Sequence, residues 1–209
     1  MKIIVAHASH FKYASIICDT IAASALVRGT GIAKRSPEYI LRKLENGNAI
    51  IALDGEIFAG FCYIEVWGHE KFVANSGLIV HPDYRNQGLA KKIKKAVLEL
   101  SIKKFPEAKI FGITTGLPVM KINYELGYKP VTFSELTTDP EFWKGCQTCK
   151  NFDVLTRTDQ KMCLCTGMLY EHKTKKKPLN TKAFQRLKSI KEQLFLKKKN
   201  TSSAATDKN

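Results

Sequence analysis

The apolar positions of the first 137 residues fall into short runs that switch between the period of a strand and that of a helix. Residues 3–6 read as a first strand, and Ile16, Ile17, Thr20, Ile21, Ala25 and Leu26 then recur at helical spacing over residues 11–26. Arg28-Gly29-Thr30-Gly31 breaks that helix. Ser36 followed by Pro37 is an N-cap with proline at the first helical position, so a second helix carries Tyr39, Ile40, Leu41 and Leu44 to a stop at Asn46-Gly47. Residues 48–53 and 56–66 are β-rich runs joined by Asp54-Gly55, a hairpin signal, and residues 71–80 supply the next strand. A helix over residues 88–104 sets an apolar stripe of Leu89, Ile93, Ala96, Val97 and Leu100 against outward lysines, and stops before Pro106. Residues 109–115 form a strand, residues 118–126 a short helix capped by Gly127, and residues 128–136 a further strand. Alternating strands and helices in this order predict an α/β fold.

One stretch carries recognisable chemistry, Gly77-Leu78-Ile79-Val80-His81-Pro82-Asp83-Tyr84-Arg85-Asn86-Gln87-Gly88-Leu89-Ala90. The apolar strand ends at Pro82, which has no N–H to donate and biases His81 towards extended geometry. The next helix begins near Gly88, so Arg85 to Ala90 present backbone N–H groups at a helix N-terminus, where the donors lack intrahelical partners and the macrodipole favours an anion. Gly88 and small Ala90 let a pyrophosphate approach that backbone.

Arg85-Asn86-Gln87-Gly88-Leu89-Ala90, with its strand lead-in and the Lys91-Lys92-Ile93 continuation, resembles motif A of the GNAT acyltransferase superfamily. The resemblance covers residues 1–137 and implies a mixed central sheet flanked by helices. It implies an acetyl-CoA-dependent N-acetyltransferase in which Leu78, Ile79 and Val80 pair with the pantetheine arm and polarise the thioester, while the amides of Arg85 to Ala90 hold the pyrophosphate. A second family signature, a tyrosine near a helix-ending glycine that protonates the leaving thiolate, is displaced: the slot holds Asn123 and the tyrosine is Tyr124, one residue or 100° further round. The family's usual strand carboxylate is also missing from residues 73–76. Glu65, in an apolar strand that would raise its pKa, is the candidate general base, and Tyr124 the remaining candidate acid.

The resemblance implies an acceptor gripped chiefly by the two helices after the first strand and by the later strand ends, and here that region holds Arg28-Gly29-Thr30-Gly31-Ile32-Ala33-Lys34-Arg35. Three cations without a carboxylate favour an acidic acceptor, because a guanidinium holds a carboxylate bidentately. Arg28 and Arg35 are therefore the candidate acceptor residues, and a small amino acid such as glutamate is the first candidate acceptor. The rival reading is an acyl-CoA sensor that kept the cradle and lost the catalytic groups.

Beyond Asp139-Pro140 the resemblance ends. Cys146-Gln147-Thr148-Cys149 and Cys163-Leu164-Cys165 could converge on a tetrahedral zinc, with reduced thiols or a redox disulfide as the alternatives. Residues 151–156 and 162–170 read as strands around them, giving a small cysteine-bearing β appendage over residues 138–172. Residues 173–209 hold 12 Lys and Arg against 2 Asp and Glu, so most of the net charge of +15 lies in this segment, which reads as a basic amphipathic helix and a disordered end. Nucleic-acid binding is accordingly an expectation for that segment at most. No apolar run reaches the roughly 20 residues of a membrane span, and the apolar start is too short for a secretory signal, so the expected location is the cytoplasm.

Overall fold

The computed structural model describes residues 1–29, 32–171 and 186. Met1–His172 form one compact unit and Lys173–Asn209 another. The expected basic helix falls in the second unit and, apart from Arg186, lies outside the described residues.

The strands are β1 (Lys2–Val5), β2 (Ala49–Asp54), β3 (Ile57–Trp67), β4 (Phe72–Val80), β5 (Lys109–Thr114), β6 (Lys129–Val131) and β7 (Thr166–Tyr170). The helices are α1 (Ala14–Arg28), α2 (Pro37–Glu45), α3 (Leu89–Lys104), α4 (Leu117–Glu125), α5 (Pro140–Lys144) and α6 (Phe152–Arg157). The strands form a single mixed sheet in the order β1-β2-β3-β4-β5-β7-β6. Every neighbouring pair is antiparallel except β4 and β5, which run parallel.

Strand alternation sorts the core onto two faces. Ile50, Cys62, Ile64, Val73 and Ile110 point towards α3, where they meet Leu89, Ile93, Val97 and Leu98. On the opposite face Ile51, Phe61 and Tyr63 pack with Ile17 and Ile21 of α1 and Ile40 and Leu44 of α2. Further along that second face, Ala74, Phe111 and Leu169 are covered by Phe133, Phe142, Trp143 and Leu155. The gap between these two coverings opens over the middle of β3, β4 and β5.

Two irregularities make that middle usable. At the first, Gly77 and Leu78 together oppose Cys62, since Phe61 pairs with Ile79 and Tyr63 with Ser76. The resulting bulge needs glycine: Gly77 has φ +64°, and a Cβ there would come within 2.1 Å of the Tyr63 ring. At the second, the parallel pairing of β4 with β5 runs only from Phe72–Lys109 to Ala74–Phe111, after which the strands part.

The cysteine-bearing segment is not a separate β appendage, because its strand β7 is inserted into the main sheet between β5 and β6. Residues 151–156, expected as a strand, lie mostly in α6, which places Phe152 and Leu155 one turn apart against the third core cluster. Six residues with apolar positions at Phe152, Val154 and Leu155 suit either period, and tertiary packing decides it here. The strand expected over residues 128–136 shortens to β6, an edge strand that accommodates Pro130, and turns into a short 3₁₀ helix at Phe133–Glu135.

Candidate active site

The cradle forms as its sequence requires. Pro82–Tyr84 make a 3₁₀ turn after β4, Asn86 and Gly88 adopt left-handed conformations at φ 61° and 74°, and α3 starts at Leu89 with no side-chain cap. Lys92 is the residue whose N–H reaches back to Gly88 O, so the amides of Leu89, Ala90 and Lys91 remain without intrahelical acceptors. The Arg85 side chain buttresses the turn, donating from Nε to Val80 O at 3.1 Å and from Nη2 to Ser24 Oγ at 3.2 Å. A cavity lies over this cradle. Leu78, Ile79, Val80, Arg85, Asn86, Gly88, Leu89 and Ala90 all line it, whereas Gln87 does not and instead donates to Asp83 O.

A second cavity continues from the first, sharing Arg28, Leu78 and Val119 as wall, and runs through the parting of β4 and β5 to the second face of the sheet. Glu65, Arg28 and Arg35 line it. Burial pushes the Glu65 carboxyl up to about 7, with the Arg35 charge opposing the rise. Lys43 of α2 stands 3.4 Å from Glu65 Oε1, and its amine is pulled down to about 8 by burial and by Arg35 and Arg42. Arg35 is fixed by donating from Nε to Tyr63 OH at 2.7 Å and from Nη1 to Lys34 O at 2.8 Å, which leaves Nη2 for a ligand. Arg28 packs over Gly116, where a Cβ would lie 2.3 Å from the guanidinium. The bulge glycine Gly77 thus has a role at the site: it makes room for Tyr63, and Tyr63 anchors Arg35.

Tyr124 does not reach either cavity. It is 71% exposed on the outer side of α4, as one residue of helical rotation dictates, and so lies apart from the other candidate residues. Asn123, in the slot before it, is buried in the wall with Oδ1 unpartnered. Asn151, also buried and lining the cavity, has an unpartnered Nδ2. Neither Asn151 nor Lys94, which lines the same cavity, is singled out by sequence pattern.

The four clustered cysteines do converge on the cavity wall, all as free thiols. Burial, reinforced by the neighbouring thiols, raises Cys146 to about 11 and Cys165 further. Among the described residues no group of three or more His, Cys, Asp and Glu side chains is arranged to hold a metal ion, so the structure does not support the expected zinc. Among them, too, no helix is long and apolar enough to cross a membrane.

A helix N-terminus with free amides thus opens, where β4 and β5 part, towards a buried carboxyl. Residues 21–115, which hold the cradle and both parted strands, match the family model described as the acetyltransferase (GNAT) family. Among solved structures, N-acetylglutamate synthase from Neisseria gonorrhoeae in complex with coenzyme A and N-acetyl-glutamate is similar with a TM-score of 0.56 at 14% identity. That match covers 80% of this chain but 34% of the gonococcal chain, so the similarity spans about a third of that enzyme. The structure of yncA from Salmonella typhimurium with acetyl-CoA gives a TM-score of 0.56 at 11% identity over 82% of this chain and 93% of that one. A GNAT-family acetyltransferase from Bacillus anthracis gives 0.51 at 13% identity over 80% and 92%. At these identities the likeness concerns the fold. No curated protein matches the chain in sequence.

Proposed function

We propose that the protein transfers an acetyl group from acetyl-CoA to the α-amine of a small acidic amino acid, with glutamate the first candidate. The observation that carries this reading is the joint placement of Glu65, Arg28 and Arg35 in one cavity that opens from the pyrophosphate cradle. The acceptor amine must shed a proton to attack, and a carboxyl with a pKa of about 7 is half ionised at neutral pH and matched to that task. The free Nη2 of Arg35 and the guanidinium of Arg28 offer two sites for carboxylates, so a dicarboxylate would be held at both ends with its amine towards Glu65. A polyamine or a lysine-rich peptide would meet Arg28, Arg35 and Lys94 in the same space. The similarity to N-acetylglutamate synthase supports the reading through the fold.

Attack on the thioester then needs only that both reactants be held in register, which supplies much of the acceleration. The bulged strand around Leu78 lines both cavities, and its amides would receive the thioester oxygen, stabilising the negative charge that develops there.

Substitution separates this from a site that accepts any amine. Arg35→Ala and Arg28→Ala should each raise the apparent KM for glutamate by about tenfold or more, the loss of one charge-assisted hydrogen bond, while the KM for acetyl-CoA moves little for Arg35→Ala. An unaltered glutamate KM in both variants would refute the assignment.

A further inference from the structure

Expelling CoA as a thiolate calls for a proton donor, and Tyr124 lines neither cavity. The titratable groups lining the cavity are few. Arginines do not give up protons, Glu65 is committed to the acceptor amine, and the Tyr63 hydroxyl is bound to Arg35 on the Glu65 face of the sheet. The four thiols belong to the segment that covers that same face. Lys94 remains. It is 2% exposed, rises from α3 on the opposite face, and lines the cavity.

Its position is set by the parting of the strands. Ala74 and Phe111 are the last paired residues of β4 and β5, and Asn75 and Gly112 are the first beyond them. Lys94 Nζ lies 3.4 Å from Asn75 O and would lie 3.6 Å from a Cβ on Gly112, so the amine occupies the head of the opening. Its other partner is the Tyr128 ring, 5.1 Å away, and no carboxylate is paired with it among the described residues. Asn123, which lines the same cavity, has its buried Oδ1 unpartnered. An acyl group lodged between the strands would therefore have Glu65 on one side and Lys94 on the other.

We propose that Lys94 is the catalytic acid of the transfer, the group whose ammonium gives a proton to the CoA sulfur as the carbon–sulfur bond breaks. This rests on the acyl-transfer reading above but not on the identity of the acceptor. In the step, the acceptor reacts as the neutral amine, its ammonium proton already passed through Glu65 to solvent; its nitrogen forms the new bond to the carbonyl carbon and loses its second proton to the again ionised Glu65. The electron pair of the carbon–sulfur bond stays on sulfur, and the Lys94 proton neutralises it. Solvent then reprotonates Lys94 and takes the proton from Glu65. The groups facing Lys94 are suited to this: Cys62 from β3 and Tyr128 after α4 are both raised by burial and stay neutral near pH 7, so neither competes for the proton. Burial also lowers Lys94 below the ordinary amine range, which eases the release of its proton.

The test is a pH titration of CoA bound to the full chain, following thiolate absorbance in the ultraviolet, in wild type, Lys94→Met and Lys94→Gln. A nearby ammonium should lower the bound thiol pKa by about one unit or more relative to free CoA, and both variants should abolish that shift. In acetyl transfer both variants should lose about a hundredfold or more in kcat with little change in the KM for acetyl-CoA. A bound thiol with the pKa of free CoA in the wild-type protein would overturn the proposal. So would a Lys94→Gln kcat within about threefold of wild type, which is the result if the side chain merely wedges the strands apart through Asn75. The titration needs no acceptor, so a wrong choice of acceptor would leave it intact.

Discussion

Replacing Glu65 with glutamine is expected to lower kcat for glutamate acetylation by about a hundredfold or more, the usual contribution of a positioned general base, while acetyl-CoA affinity stays unchanged. The amide has nearly the shape of the carboxyl but cannot accept the ammonium proton. The cradle at Gly88 lines the other cavity and does not include Glu65, which is why cofactor affinity should hold. The pH profile separates a lost base from a disturbed pocket. Burial places the wild-type carboxyl at about 7, so it is protonated and idle below that pH, and kcat should rise as pH climbs through 7 and then level off. The glutamine variant should lack this rising limb. A variant that keeps it would assign the titration to another group, and Lys43 at about 8 is the nearest alternative.

The second large effect belongs to Gly88. Valine there should weaken CoA binding by about a hundredfold or more, because a side chain stands where the pyrophosphate must meet the amides of Leu89 and Ala90, and each hydrogen bond to a charged group is worth about 1.5–3 kcal/mol. The fold should survive, since a Cβ on Gly88 meets nothing within 4 Å. The residue does sit at φ 74°, so alanine at this position should cost about 1–2 kcal/mol of stability, with valine somewhat worse. Calorimetric titration with CoA alongside thermal unfolding distinguishes the two costs. Unchanged CoA affinity in a folded Gly88→Val protein would remove the cradle assignment.

The parts of this site that sequence reveals are those carried by contiguous residues or by one strand's alternation. The cradle is local, so Pro82, Gly88 and the small Ala90 specify it without knowledge of the rest of the fold. Glu65 stands out because a carboxylate in an apolar strand has few other reasons to be there, and Tyr63 and Glu65 share a face by the two-residue period. The parting of β4 from β5 is different in kind: it depends on how far two strands distant in sequence remain paired, and no local pattern encodes it. The insertion of β7 is likewise nonlocal, since the chain leaves β6 at Val131 and returns at Thr166 to pair on both sides. Lys94 was legible in principle. It reads as one of the outward lysines of α3 only if the stripe is drawn through Ile93 and Val97; Leu98 and Ser101, four and seven residues on, are buried, and Lys94 shares their face. Tyr124 shows the opposite error, where a matching residue type one position out of register lies on the wrong side of its helix.

The central claim, acetyl transfer from acetyl-CoA to a small acidic amino acid, is tested most directly by thiol release from acetyl-CoA over a panel of glutamate, aspartate, spermidine and a lysine-rich peptide, with the acetylated product identified by mass. Turnover of glutamate or aspartate well above that of the cationic acceptors is the expected result. Preferential turnover of spermidine or the basic peptide, or acetyl-CoA binding with no turnover of any amine, as a sensor would give, contradicts it.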